Sequence, residues 1–306
     1  MQISPEIYAF PGQGNQDKIP ELARYIEDDV SANIVFAEAD DITLDAFGIA
    51  IGKLCLEGKD TDFEDPRILQ AATLTIEVAL YKALEKRGFY PKLVVGHSLG
   101  EYAALVAAKV ISFEDALRLV IIRAEAMILS NEEIDGGGGM AAINKHLEPA
   151  VVDLAAKYEL DIAGYNSQAQ LVVSGPVDHL LALEEEVGSD DVKRLLIPYP
   201  AHSRWMWEAY EAVQDAASGM HFGRPSITFL SNWVETLRSG QQFREHLATQ
   251  MIRRVNWYPQ MLEAVHGRGL KSFMETGAGT ALAGLHKRIF RNEVTVIPVT
   301  DLLVAT

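Results

Sequence analysis

Short apolar runs rich in β-branched residues alternate along the chain with longer amphipathic patterns. Five such runs predict strands, at residues 6–10, 93–96, 227–231, 271–275 and 294–299. The two clearest amphipathic patterns predict helices over residues 69–87 and 113–130. Strands that alternate with helices form mostly parallel sheets with helices packed on their faces, so this pattern predicts an α/β fold.

The pattern changes between about residues 138 and 198. Four short strands and two helices are predicted there in the order β-α-β-β-α-β, with strands at 140–143, 161–165, 170–174 and 192–197 and helices over 147–158 and 177–187. This order is typical of a ferredoxin-like subdomain. We therefore expect a discontinuous large subdomain, residues 1–135 and 199–306, with a small subdomain inserted at 136–198.

Composition narrows the classes of partner. Hydrophobic residues make up 48% of the chain and charged residues 23%, which is ordinary for a globular protein. The net charge of −16 repels phosphate backbones, so a nucleic acid partner is not expected. Residues 244–292 nevertheless carry eight Lys and Arg against three Asp and Glu. This segment suits an acidic partner, unless its basic residues are scattered over helix surfaces.

Localisation and metal binding are constrained by what the sequence lacks. No apolar run has the length of a membrane-spanning helix, and the N-terminus has no basic segment followed by a long apolar one, so we expect a cytoplasmic protein without a membrane partner. Cys55 is the single cysteine, which excludes an internal disulfide. Because no cluster of Cys and His surrounds it, no metal site is expected.

The segment LVVGHSLGEYAAL at residues 93–105 is the strongest candidate for chemistry. Its strand-like run stops at Ser98, between Gly96 and Gly100, and a helical pattern follows, as in the nucleophile elbow G-x-S-x-G. A serine nucleophile needs a general base and hydrogen-bond donors for the developing oxyanion. The N–H of Leu99, at a helix N-terminus, is one such donor.

The residues alone leave the base open among eight histidines. His202 is favoured because it lies in a loop of small residues just beyond the small subdomain. His266 and His286 are its competitors.

The motifs GHSLGEYAAL and FPGQGNQ, the latter at residues 10–16, resemble the malonyl-CoA:acyl-carrier-protein transacylase family, which includes the acyltransferase domains of polyketide synthases. Further motifs follow in the family's order over nearly the whole chain: LQAATLTIEVALY at 69–81, IIRAEAM at 121–127, GGGMAAI at 137–143, YNSQAQLVVSG at 165–175, AHS at 201–203, RRVNW at 253–257 and ETGAGTALAGLHKRI at 275–289. The resemblance implies an α/β-hydrolase-like core with an inserted ferredoxin-like subdomain, which agrees with the pattern above.

The resemblance also implies the catalytic residues. Ser98 matches the nucleophile that carries the acyl group as an ester, and His202 matches its base. Asn256 matches the residue whose backbone carbonyl orients that histidine. The N–H groups of Gln13 and Leu99 match the oxyanion hole.

Substrate-binding residues follow from the same match. Arg123 lies at the edge of the apolar face of the helix predicted at 113–130, where a charged residue ordinarily pairs with a surface acid. The resemblance implies instead that its planar guanidinium binds the free carboxylate of a malonyl-type acyl group. Gln70 and Asn166 match residues that line the acyl pocket.

Ala201 departs from the family. Members that use malonyl groups commonly carry Phe directly before the active-site histidine, whereas this chain has Ala201 before His202. The smaller side chain leaves room for a larger or branched acyl group, unless Trp205 and Trp207 fill the space.

The predicted function is a free-standing acyltransferase of fatty acid or polyketide biosynthesis. An acyl-CoA, expected to be malonyl-CoA, acylates Ser98, and the phosphopantetheine thiol of an acyl carrier protein then takes the acyl group in a ping-pong reaction. No metal or other cofactor is expected. The carrier protein is expected to dock on the basic C-terminal third, at Arg253, Arg254, Lys287 and Arg288.

Three alternatives remain open from the sequence. The first is an acyl-thioester hydrolase in which water attacks the acyl-enzyme, and the second is a transferase for a larger or branched acyl group. The third is a scaffold that binds carrier proteins without catalysis, which the presence of Ser98, Arg123 and His202 disfavours.

Overall fold

The structure is a computed structural model that describes residues 4–304. It divides into two compact units. Of the described residues, unit 1 comprises 4–121, 220–240 and 261–304, and unit 2 comprises 122–219 and 241–260.

The described residues form nine strands, which are β1 Ile7–Phe10, β2 Leu93–Gly96, β3 Gly138–Asn144, β4 Asp161–Ser167, β5 Gln170–Pro176, β6 Val192–Arg194, β7 Thr228–Phe229, β8 Ser272–Glu275 and β9 Thr295–Val296. The α-helices of the same residues are α1 Ile19–Ala23, α2 Val30–Phe47, α3 Ile51–Glu57, α4 Pro66–Lys86, α5 Gly100–Ala107, α6 Phe113–Glu132, α7 Glu148–Lys157, α8 Val177–Val187, α9 Trp207–Ser218, α10 Gly240–Thr249, α11 Trp257–Leu262, α12 Ala281–Phe290 and α13 Val299–Leu303.

Unit 1 is built on a parallel sheet of five strands in the order β7-β2-β1-β8-β9. The central strand β1 pairs with β2 and β8, so that Ile7 lies opposite Leu93 on one side and Phe273 on the other. Every residue of β1 and β2 is buried, as expected for a parallel sheet that is covered on both faces. The predicted α/β class is therefore confirmed.

The edge strands of this sheet are shorter than predicted. The runs at 227–231 and 294–299 contribute only the two-residue strands β7 and β9. Each of these pairs on one side only, with β2 and β8 respectively. A strand with one partner has half the ladder hydrogen bonds of a central strand, so apolar composition alone does not fix its length.

Helix α4 of unit 1 is buried along most of its length. It begins after Asp65, whose carboxylate accepts the Arg67 N–H at 2.8 Å, and Pro66 occupies the first turn, where its missing N–H is not needed. Side chains from Leu69 to Leu84 are buried along almost its entire length. The helix packs against α2, α3 and α5.

Helix α2 was missed by the sequence pattern. Apolar side chains lie on its exposed surface as well as on its buried face, among them Val30, Ile34 and Leu44, and this blurs the helical period. The helix begins at Asp29, whose carboxylate accepts the N–H groups of Ser31 and Ala32. Its burial against α4 stabilises it beyond what its periodicity indicates.

Unit 2 contains an antiparallel sheet of four strands in the order β4-β5-β3-β6. With α7 after the first strand and α8 after the third, this is the predicted ferredoxin-like arrangement. Its core is apolar and includes Ile143, Leu171, Val173 and Leu180. The four strands fall within residues 136–198, and unit 2 also takes in residues 122–135, 199–219 and 241–260.

Across residues 4–304, no helix is both long enough and apolar enough to pass through a bilayer.

Candidate active site

Ser98 lies in the turn that joins β2 to α5 in unit 1. Its φ of 52° is in the left-handed region, which residues with a Cβ rarely adopt. The side chain is half-buried, whereas the four strand residues before it are buried. Strained backbone of this kind persists only where the surrounding packing enforces it, and it is concentrated at functional sites.

The glycines on either side of Ser98 allow this turn because a side chain at either position would collide with backbone. A Cβ on Gly96 would lie 2.2 Å from the Glu101 nitrogen. A Cβ on Gly100 would lie 2.0 Å from the Phe10 carbonyl oxygen and 3.1 Å from the Gly12 nitrogen. The G-x-S-x-G spacing is therefore a packing requirement of this turn.

The loop after β1, residues 11–14, lies directly against the turn. Gly12 has a φ of 72°, and a Cβ there would lie 2.6 Å from the His97 carbonyl oxygen and 3.2 Å from the Leu99 Cβ. The His97 N–H also donates to the Phe10 carbonyl at 2.9 Å. The structure thus brings together the two segments that carry the predicted oxyanion donors, the loop with Gln13 and the turn with Leu99.

His202 lies in unit 2, in the loop between β6 and α9. It is 5% exposed, and its φ of 59° is also left-handed. Its Nδ1 lies 2.8 Å from the backbone carbonyl oxygen of Gln250. A carbonyl only accepts hydrogen bonds, so Nδ1 carries the proton and Nε2 is left as the basic nitrogen. This tautomer is the one that a general base acting through Nε2 needs.

The structure corrects the predicted orienting residue. The carbonyl bound to His202 belongs to Gln250, and not to Asn256. The Asn256 carbonyl instead accepts the Gln260 N–H at 3.1 Å, within the first turn of α11. Any residue type supplies a backbone carbonyl, so no side-chain signal at Gln250 could have identified it.

The loop that carries His202 is anchored on both sides within unit 2. Gly138 makes room for Pro200, because a Cβ there would lie 2.5 Å from the Pro200 Cδ. After the histidine, the Arg204 backbone N–H donates to the Asp161 carboxylate at 2.7 Å, and the Arg204 guanidinium forms an ion pair with the same carboxylate. These contacts anchor the chain on both sides of His202.

The two competing histidines, His266 and His286, lie in environments that differ from that of His202. The Nε2 of His266 lies 2.9 Å from a carboxylate oxygen of Glu293, and both side chains are exposed. His286 is buried in unit 1 and stacked on Phe273 at 4.0 Å. Burial lowers the pKa of His286 to about 3.

Arg123 is 2% exposed, on α6. This burial rules out the alternative of an ordinary surface ion pair, since a buried guanidinium requires anionic or polar partners within the protein or from a ligand.

The remaining predicted pocket residues are buried as well. In unit 2, Asn166 donates from Nδ2 to the Gln170 Oε1 at 3.2 Å, and Ala201 is 5% exposed. In unit 1, Gln70 is completely buried on α4.

The predicted docking residues fall in both units. Lys287 and Arg288 are exposed near the end of α12 in unit 1, and Arg253 is exposed in unit 2. Arg254 is only half-exposed and pairs with Glu148 at 2.8 Å. Glu148 therefore partly balances the charge of Arg254.

Among residues 4–304, no group of three or more His, Cys, Asp or Glu side chains is arranged to hold a metal ion.

The chain matches known proteins over nearly its whole length. The family model described as acyl transferase domain matches residues 7–300. The chain is 31% identical to the malonyl CoA-acyl carrier protein transacylase of Escherichia coli K12, with 92% of each chain covered. It is 34% identical to the polyketide biosynthesis protein PksE of Bacillus subtilis, over 95% of this chain. The chain spans 37% of the length of PksE, so PksE extends well beyond the matched region.

Solved structures match over nearly the whole chain. The malonyl CoA-acyl carrier protein transacylase of Coxiella burnetii superposes with a TM-score of 0.89 at 28% identity, covering 99% of this chain and 98% of that one. A type II polyketide synthase malonyl-transacylase, solved in complex with its acyl carrier protein, gives a TM-score of 0.88 at 28% identity and covers 97% of both chains.

Proposed function

The chain belongs to the acyl transferase domain family, and we propose that it transfers a malonyl-type acyl group from CoA to the phosphopantetheine thiol of an acyl carrier protein. In this proposal the reaction is ping-pong and passes through an ester on Ser98. Malonyl CoA and the acyl carrier protein are the substrates named for its relatives, and we propose the same pair for this chain.

The left-handed backbone of Ser98 is the observation that carries the proposal. It holds a half-buried hydroxyl at a turn before α5, with the 11–14 loop packed against it. A position selected only for packing would favour glycine at a φ of 52°. A serine at this half-buried position after a buried strand fits a hydroxyl that takes part in the reaction.

In the proposed acylation step, His202 Nε2 takes the proton of the Ser98 hydroxyl while the oxygen attacks the thioester carbonyl carbon of the acyl-CoA. The carbonyl oxygen becomes an oxyanion that accepts hydrogen bonds from the Gln13 and Leu99 N–H groups. Collapse of this intermediate breaks the C–S bond, and the CoA sulfur leaves with the proton from His202. The Gln250 carbonyl keeps the imidazole oriented, because it accepts the hydrogen of Nδ1.

The proposed second step reverses these roles. His202 Nε2 takes the proton of the phosphopantetheine thiol, the sulfur attacks the ester carbonyl, and the Ser98 oxygen leaves with that proton. Both steps exchange one acyl bond for another, so no oxidant or reductant is needed.

Arg123 is the proposed determinant of the acyl group. In this proposal its guanidinium binds the free carboxylate through two parallel hydrogen bonds, which favours a dicarboxylic acyl unit over acetyl or a fatty acyl chain. Gln70, Asn166 and Ala201 are proposed to line the acyl pocket. Because Ala201 is small, the largest acyl group that the pocket accepts is to be measured with a panel of acyl-CoAs.

Carrier docking is proposed at the exposed basic residues of the C-terminal third, Arg253, Lys287 and Arg288. Carrier proteins are expected to be acidic, so these positive charges would increase the rate at which the carrier protein encounters this chain. Arg254 is expected to contribute less because Glu148 already partly balances it.

Intact-mass spectrometry after mixing with a panel of acyl-CoAs tests the proposed function. We expect a malonyl adduct on the wild type, no adduct on Ser98→Ala, and transfer of the adduct to a holo carrier protein. The half-life of the ester without acceptor separates transfer from hydrolysis, because a transferase must keep the ester from reacting with water. The absence of any adduct, or an adduct that turns over equally fast without acceptor, contradicts the proposal.

The proposed docking residues are tested by the triple change of Arg253, Lys287 and Arg288 to Ala. We expect a higher KM for the carrier protein, with acylation by the acyl-CoA unchanged. Arg118→Ala is the matched control, since Arg118 is exposed but pairs with Glu114 on its own helix α6. An unchanged KM for the carrier protein in the triple variant contradicts docking at these residues.

A further inference from the structure

Glu77 is a completely buried carboxyl group in the middle of helix α4. Its Oε1 accepts the Gly12 N–H at 2.7 Å, across 65 positions of sequence. Its Oε2 has no hydrogen-bond partner within residues 4–304. An apolar residue would fill this helical position without the desolvation cost of a carboxyl group, so the contact with Gly12 is the feature that sets Glu77 apart.

Gly12 connects this contact to the turn at Ser98. The hydrogen bond that the Gly12 N–H donates to Glu77 fixes the peptide between Pro11 and Gly12, and Gln13 is the next residue. On its other side, Gly12 packs so closely on the turn that a Cβ would lie 2.6 Å from the His97 carbonyl oxygen and 2.9 Å from the Gly100 nitrogen. Glu77 therefore lies behind the 11–14 loop and the turn lies in front of it.

The end of β8 closes over the same carboxyl group. A Cβ on Gly277 would lie 2.6 Å from two ring carbons of Pro11 and 3.1 Å from the Glu77 Oε1. Two residues earlier, the Glu275 carboxylate accepts the N–H groups of Leu282 and Ala283 at the start of α12. The loops after β1 and β8 thus meet at Glu77, all within unit 1.

A neutral carboxylic acid fits this environment. Burial raises the pKa of Glu77 well above its ordinary value; the Gly12 N–H lowers it in part, and the nearby Glu275 raises it further. A neutral acid still accepts the Gly12 N–H through its carbonyl oxygen and brings no net charge close to a developing oxyanion. A glutamine, which is neutral and has the same shape, would do the same.

We propose that Glu77 is a positioning residue for acyl transfer, which fixes the Gly12 amide and through it the Gln13 N–H of the oxyanion hole. This inference rests on the proposed function, since that function places the Gln13 N–H against the oxyanion. Glu77 does not touch the substrate in this account; it acts only through the geometry of the 11–14 loop.

Single-turnover acylation separates this role from a purely structural one. Glu77→Leu removes the acceptor, and we expect the acylation rate at saturating acyl-CoA to fall by roughly 10- to 100-fold, with little change in the concentration for half-saturation, because misplacement of a catalytic group lowers the rate of the chemical step. Glu77→Gln keeps the acceptor and should acylate like the wild type. Glu77→Ser is too short to reach Gly12 and small enough to fit, so it replaces the leucine variant if that variant does not fold.

Thr75→Val is the matched control. Thr75 is equally buried on α4, and its hydroxyl donates to the Ala71 carbonyl of the same helix at 2.7 Å. This variant loses a buried hydrogen bond without touching the loop, so it should lower the melting temperature and leave the acylation rate unchanged. A Glu77→Leu variant that folds and acylates at the wild-type rate overturns the proposal, as does an equal loss of rate in Thr75→Val.

Amide hydrogen exchange at Gly12 distinguishes failure of this inference from failure of the proposed function. We expect faster exchange at Gly12 in Glu77→Leu than in the wild type or Glu77→Gln, whatever the protein catalyses. Unchanged exchange overturns the inference. If the wild type forms no ester on Ser98, the proposed function and the catalytic part of the inference both fail, and the exchange rates still decide whether Glu77 holds the loop.

Discussion

Replacing Gly100 with alanine tests the proposed oxyanion hole most directly. The added Cβ would lie 2.0 Å from the Phe10 carbonyl oxygen and 2.6 Å from the carbonyl carbon, whereas real Cβ contacts stay beyond 3.0 Å. The turn at Ser98 and the end of β1 must therefore separate by roughly 1 Å, because both contacts are with backbone that has no rotamer to change.

The expected loss follows from that displacement. The two proposed donors lie on the two segments that must separate, Gln13 beyond β1 and Leu99 in the turn. A misplacement of about 1 Å costs on the order of 10²-fold in rate, which is also the range for loss of one oxyanion donor. Overpacking adds a destabilisation of about 1–3 kcal/mol, which a folded protein of this size tolerates.

The assay is single-turnover acylation of Ser98, followed by intact mass, with thermal unfolding measured on the same samples. Gly219→Ala is the control, since Gly219 has an ordinary φ of −89° and no atom within 4 Å of an added Cβ. A folded Gly100→Ala variant that acylates as fast as the wild type would refute the reasoning, because the collision would then have been relieved without disturbing the donors.

Three further predictions concern single side chains. Arg123→Lys keeps the charge but loses the planar pair of donors. The stabilisation of malonyl transfer should fall by about 1.5–3 kcal/mol, so its rate should drop roughly 10- to 100-fold relative to acetyl transfer. Competition between the two acyl-CoAs measures the ratio of the two rates, and an unchanged ratio contradicts the assignment. Cys55 is completely buried, which raises the pKa of its thiol, so a thiol reagent should label it only after unfolding in urea, and rapid labelling of the native protein would contradict this. Burial lowers the pKa of His286 to about 3. Between about pH 6.5 and pH 3 the unfolded chain therefore binds a proton at this histidine and the folded chain does not. The free energy of unfolding should fall by up to about 1.4 kcal/mol per pH unit as the pH decreases through this range. His286→Leu should flatten this acid limb in urea titrations at several pH values, and equal slopes would refute it.

The sequence by itself determined the elements whose signal is local. The strand β2, the turn at Ser98 and the helix α5 follow from an apolar run, two glycines and a helical pattern within 15 residues. The β-α-β-β-α-β order of unit 2 also follows from local sequence, because the hydrophobic periodicity of each strand and helix lies within that element. Even so, α2 escaped detection, since its exposed Val30 and Ile34 obscure the face that it buries.

The tertiary structure decided which backbone atoms the candidate functional side chains contact. The partner of His202 Nδ1 is a carbonyl 48 positions away, and every residue type offers the same carbonyl. The contact between Glu77 and Gly12 spans 65 positions and joins a helix to a loop. Nothing in either segment's sequence predicts that the two are in contact. Local patterns indicate most of the helices, strands and turns. Hydrogen bonds to distant backbone depend instead on how the chain packs, and packing is a property of the whole fold.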